Sequence, residues 1–143
     1  MRRDYFTLEV ATGPEEPEAR VGYDGPAEGF EDRLTDDAGV PLSPRQVDVA
    51  YRLQGQEYAP DAEGVLAVTN RITGEFILEC NAGVDTVREL IEAAREVEDG
   101  RYRLVVTVNA SEALAHEKST FLVYNRDGDL LRQHSLIPSG VEL

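Results

Sequence analysis

Cysteine is almost missing from this chain. Cys80 is the only one among 143 residues, so no internal disulfide can close, and neither a CxxC redox pair nor a cysteine zinc site can be drawn. Histidine is nearly as scarce, with only His116 and His134. No apolar run approaches the ~18 residues that span a bilayer. The opening Met1-Arg2-Arg3-Asp4 leads straight into a strand-like stretch with no apolar core of a signal peptide. A cytoplasmic protein without membrane attachment is expected. The rarest base is lysine: Lys118 stands alone beside thirteen arginines.

What is abundant is carboxylate. Twenty-eight Asp and Glu face fourteen bases, a net charge of −14. Such a surface repels itself, which costs stability unless salt screens it. At 1 M salt the Debye length is only about 3 Å. A lysine stem adds apolar surface and carries a compact, strongly hydrated ammonium. Many carboxylates, retained arginine and almost no lysine together suit a halophilic cytosol. The alternative is an ordinary acidic protein from a high-GC genome, where arginine codons displace lysine. Either way, sequence-independent nucleic-acid binding is disfavoured, since it needs clustered Lys and Arg against phosphates. Anionic membrane surfaces are disfavoured for the same reason.

A chain of this length is one ordinary domain, expected over residues 1–143, able to bury roughly two-thirds of its unfolded surface. Residues 3–10 alternate, with Phe6, Leu8 and Val10 on one face. An acidic loop around Pro14 and a short strand at 19–23 follow. Asp24-Gly25-Pro26 then reads as a helix start, with Ala27, Phe30 and Leu34 forming an apolar stripe. Residues 47–53 alternate as a half-buried strand. Two further strands are expected at 64–70 and 75–80, with Phe76, Leu78 and Cys80 sharing a face opposite Ile77. Val84, Val87, Ile91 and Ala94 recur at helical spacing, and Gly100 closes that second helix. Residues 102–108 form a strand, and a polar loop then leads to strands at 121–124 and 130–136. Residues 138–143 make a short surface tail.

No motif of chemistry stands out. Asn125-Arg126-Asp127-Gly128-Asp129 invites a calcium reading, but counting from Asn125 the sixth and twelfth positions hold Leu130 and Leu136, not the Gly and Glu of an EF-hand. A hairpin turn explains it better. His134, in an alternating stretch, reads as an edge-strand histidine rather than a general base, and His116, in a polar loop, as solvated. Cys80 on an apolar face reads as a small buried hydrophobe. No P-loop, GxGxxG, HExxH or paired-carboxylate signature is present, so neither cofactor nor metal is implied.

Charge is uneven along the chain. Residues 1–40 and 41–99 each carry net −7, while residues 100–143 are neutral. If acidity coats every free surface, this neutral third is covered either by the core or by a partner. Arg103, Tyr124, Arg126, Arg132 and His134 are then candidate interface residues, as Tyr and Arg are common in interfaces.

The stretches MRRDYFTLEV (residues 1–10), VTNRITGEFILE (68–79) and FLVYNRDGDLLRQHSLIPSGVEL (121–143) resemble an uncharacterised protein family of halophilic archaea, a domain of unknown function. The likeness covers nearly the whole chain. It implies a haloarchaeal source, in agreement with the composition, and supplies no activity, ligand or catalytic residue. The expected fold is α+β, with about eight mostly antiparallel strands and two helices packed on the sheet. A β-sandwich or half-barrel flanked by helices is the alternative. The expected function is a non-enzymatic interaction or regulatory module, able to self-associate through an edge strand. A small-molecule sensor or enzyme with a pocket near His134 is the second reading.

Overall fold

Alternation sets most of the strands. The computed structural model describes residues 3–13, 15–26, 29–55 and 57–138. Met1, Arg2, Pro14, Ala27 of the expected stripe and the tail beyond residue 138 lie outside them. β1 (Phe6–Ala11) buries Phe6 and exposes Thr7 and Glu9. β2 (Glu18–Tyr23) buries Ala19, Val21 and Tyr23. β3 (Val47–Leu53) buries every second residue, and β4 (Glu63–Asn70) and β5 (Phe76–Gly83) follow it. α1 (Val84–Arg95) turns Val84, Val87, Leu90, Ile91 and Ala94 inward. β6 (Tyr102–Val108), β7 (Ser111–Lys118) and β8 (Leu122–Tyr124) complete the set.

The strands divide between two four-stranded sheets, ordered β1-β2-β6-β7 and β5-β4-β3-β8. Antiparallel ladders join β1 to β2, β3 to β4, β4 to β5 and β6 to β7. Parallel ladders join β2 to β6 and β3 to β8. Both sheets and α1 feed one contiguous hydrophobic cluster, and α1 packs against β1 and β5. Among the described residues, no helix is long and apolar enough to cross a membrane.

Among the described residues the strand number is as expected, but the eight strands lie in two mixed sheets, and there is one α-helix where two were expected. Within the stretch expected as the first helix, the described residues hold only a short 3-10 turn (Glu31–Leu34). Gly29 takes φ +87°, a left-handed conformation that ends any right-handed helix. The Pro26 carbonyl accepts the Tyr23 hydroxyl at 2.7 Å instead of a helical amide. The apolar stripe is nonetheless used, for Phe30 is fully buried and packs with Phe6 and Tyr23 at ring separations of 5.3 and 4.5 Å. Burial of Phe30 and Leu34 needs only a single turn, so helical spacing there did not mean a helix.

Two errors in strand identity cancel in the count. The expected polar loop after residue 108 is β7, entered through Asn109 and Ala110 at φ +49° and +71°. A two-residue turn with both residues left-handed suits a hairpin, but without glycine it carries no sequence signal. Conversely, residues 130–136 are not a strand. They pair beside β8 through isolated bridges at Tyr124–Leu130 and Phe121–Leu136, with a 3-10 turn (Arg132–His134) between. The Ser135 hydroxyl accepts the Val123 amide at 2.9 Å and donates to the Leu131 carbonyl at 2.8 Å. One side chain thus takes the place of a ladder partner and lets the backbone turn.

The last correction concerns β5. The β4–β5 register slips between Val68 and Thr69, pairing Val68 with Leu78 and Thr69 with Phe76. Ile77 is the extra residue of a β-bulge, which switches the face that each neighbour presents. Ile77 is therefore buried and Phe76 is 52% exposed, the reverse of simple alternation.

Candidate functional site

The bulge builds one wall of a cleft. Beyond it the β4–β5 turn is held by Asn70, whose Oδ1 accepts the amides of Ile72 and Thr73 at 2.9 and 3.2 Å. Gly74 N donates to the Asn70 carbonyl at 2.8 Å, and the side chain of Ile72 at the apex is 73% exposed. The facing wall is residues 32–42. There Asp36 Oδ1 accepts the amides of Ala38 and Val40, both at 2.9 Å, and a bridge joins Thr35 to Pro41. Arg33 Nη1 reaches the Phe76 carbonyl at 3.4 Å. Leu42 and Ile77 lie between the walls, and the cleft has a volume of about 350 Å³. Its rim carries Asp32, Asp36, Asp37 and Glu75 beside the single base Arg33. The side chains of Phe76 and Ile72, with Val40 at 55% exposure, are the large apolar groups that the described surface exposes most.

A second depression, of about 480 Å³, opens where α1 meets the loop after β3 and the Arg132–His134 turn. The His134 ring lies flat on Tyr58, with centroids 3.6 Å apart and planes 9° from parallel. Desolvation, and then the Arg95 charge, lower the His134 pKa from its ordinary value. His134 is thus in a turn and not on the alternating strand expected for it.

His116 was expected to be solvated and is buried in β7. It faces the Leu42 backbone, with which it hydrogen-bonds, and Lys118. Its Nδ1 finds no partner among the described residues, and burial lowers its pKa. Cys80 is buried as expected, and desolvation pushes its thiol up to about 11, far from a reactive thiolate. In the 125–129 segment, Asn125 Oδ1 accepts the amides of Asp127 and Asp129 at 2.9 Å each, which is turn chemistry. Among the described residues no group of three or more His, Cys, Asp and Glu is arranged to hold a metal ion.

The five candidate interface residues fall on separate elements. Arg103 sits on β6, paired in register with Glu18 and Glu117, in a depression rimmed by glutamates. Tyr124 ends β8 beside Arg52, and the Arg126 carbonyl accepts Arg52 Nη2 at 2.6 Å. Arg132 and His134 occupy the turn near α1, so Arg103 and His134 line different depressions. Within the neutral third, β6 is an interior strand with Tyr102, Leu104, Val105, Val106 and Val108 buried, so much of that stretch is core. Phe76, Ile72, Tyr58 and Arg88 escaped sequence reasoning. The adjacent aliphatic pair Ile77-Leu78, at odds with alternation, was the one sign of the bulge.

Neither the curated proteins nor the solved structures contain a match to the chain. A family model described as "Family of unknown function (DUF5793)" matches residues 1–143. The chain belongs to that family.

Proposed function

We propose that the chain is a non-enzymatic interaction module of a salt-rich cytoplasm, and that its partner surface is the cleft between the β4–β5 turn and residues 32–42. The observation that carries this reading is Phe76. A β-bulge costs ladder regularity, and here it turns a phenylalanine out of the core into water beside Ile72. Apolar side chains grouped at one end of a highly charged molecule mark a contact surface. Both walls are braced by side-chain-to-backbone hydrogen bonds, so binding would order little new chain. The acidic rim selects the occupant: an apolar segment of another protein flanked by Lys or Arg.

Site-specific photocrosslinking tests the surface. A benzoylphenylalanine placed at Ile72 and irradiated in cell extract at high KCl should give discrete adducts, with the crosslinked peptide carrying basic residues. The F76S substitution should abolish them. The same label at Thr7, exposed on β1, is the control. Adducts with a second copy of the chain would make the module self-associating instead. Equal labelling from Ile72 and Thr7 would overturn the reading.

A further inference from the structure

On a chain of net charge −14, the depression beside His134 gathers cationic groups. Arg88, Glu92 and Arg95 on α1 stand at i, i+4 and i+7, one face of the helix, and all three line it. The two arginines have different tasks. Arg95 Nη2 donates to the carbonyls of Gln133 and Ser135 at 2.7 and 3.2 Å, which fastens the 132–134 turn to the helix. Arg88 is half-buried and, among the described residues, makes no hydrogen bond or ion pair. The same holds for the Tyr58 hydroxyl and the His134 ring nitrogens. Both arginine charges bear on Tyr58, which places that ring within their field. Three donor groups therefore meet at one depression without acceptors among the described residues, and its one lining carboxylate, Glu92, leaves one of the two guanidinium charges in excess.

We infer that this depression binds the phosphoryl group of a small anionic ligand, with Arg88 as the principal donor and the stacked Tyr58–His134 pair as the wall. A guanidinium fork matches two phosphoryl oxygens, and a tetrahedral anion keeps further oxygens for the tyrosine hydroxyl and the imidazole. A planar carboxylate would be satisfied by the fork alone. The surrounding negative charge repels anions from the rest of the surface, and in brine that long-range field is screened. Close, charge-assisted hydrogen bonds are then what hold the ligand. An imidazole kept mostly neutral by burial and by Arg95 would take up a proton as the anion arrives, adding a second charged contact.

The two histidines make the site readable by NMR. Their ring Cε1–H signals are followed through pH titrations with added inorganic phosphate, or glycerol phosphate, against KCl of equal ionic strength. Phosphate should raise the apparent pKa of His134 saturably and leave buried His116 unmoved. The R88Q substitution should weaken binding about tenfold or more, the scale of one charged hydrogen bond. Because Arg88 holds no other described residue in place, the fold should survive. Y58F keeps the stacked ring and should weaken binding less. Tighter binding of glycerol phosphate than of phosphate would identify an ester as the ligand; the reverse order would identify the free anion. A response equal to that of KCl, one shared by both histidines, or one that persists in R88Q would overturn the assignment.

Discussion

The solitary lysine has a structural task. Lys118 Nζ donates to the carbonyls of Pro44 and Val47 at 2.8 and 2.6 Å, tying the end of β7 to the start of β3 at the margin of the two sheets. A compact ammonium fits between two converging carbonyls, whereas the planar guanidinium fork of arginine is longer and differently directed. That accounts for one lysine in a chain that otherwise uses only arginine. K118A should cost about 2 kcal/mol, since hydrogen bonds to charged groups contribute roughly 1.5–3 kcal/mol. K118R should recover only part of it, as measured by urea unfolding at fixed KCl. His116 gives a pH signature. Its folded pKa lies below the ordinary 6.5, so as pH falls through 6.5 the unfolded chain takes up a proton that the folded chain resists. Its contribution is complete above that pH and is lost on acidification until the lower folded value is passed. H116Q, which cannot titrate, should show a shallower fall in Tm as the pH drops below 6.5. An unchanged slope would mean that the imidazole is not protected from water.

At the scale of elements, the bulge in β5 makes a prediction that runs against the sequence pattern. Alternation counts Phe76 as core and Ile77 as surface; the register shift reverses them. I77A should therefore cost about 3 kcal/mol, within the usual range for truncating a buried aliphatic. F76A should cost under about 1 kcal/mol while removing the surface proposed for the partner. Denaturant midpoints of the two variants decide the matter, and an F76A loss as large as that of I77A would place Phe76 in the core. Elements built on uninterrupted alternation, such as β2 and β3, were legible because one buried face fixes the pattern. α1 was legible because five inward residues sustain the helical period. What escaped were features whose signal lies in backbone conformation: the left-handed Asn109-Ala110 turn, Gly29 at the stop of an apparent helix, and the bulge itself. The Tyr58–His134 stack brings together residues 76 positions apart, and no local period reports such a pair.

For the whole molecule, the composition and the burial pattern point the same way. Every described Asp and Glu is exposed or half-buried, and two ion pairs join described residues, Arg20–Glu18 at 3.4 Å and Arg101–Glu117 at 3.7 Å. Exposed pairs of this kind contribute about 1 kcal/mol or less, so most of the carboxylate repulsion must be relieved by solvent ions. The proposed adaptation to brine then predicts how stability should vary with salt. From about 0.01 M to about 1 M the Debye length shrinks from roughly 30 to 3 Å, and Tm should climb steeply over that interval. Salt also strengthens apolar burial, but that effect continues to grow at higher concentration and is larger with sulfate. Screening saturates and depends on ionic strength, so KCl and potassium sulfate matched for it should give coincident curves below about 1 M. A variant with exposed acids such as Asp37, Glu57, Asp61, Glu96 and Glu98 changed to their amides should flatten the low-salt limb and leave the high-salt limb alone. A wild-type Tm that is constant down to low millimolar salt would show that the repulsion is already balanced within the fold, and the excess of carboxylates would then need a different physical cause.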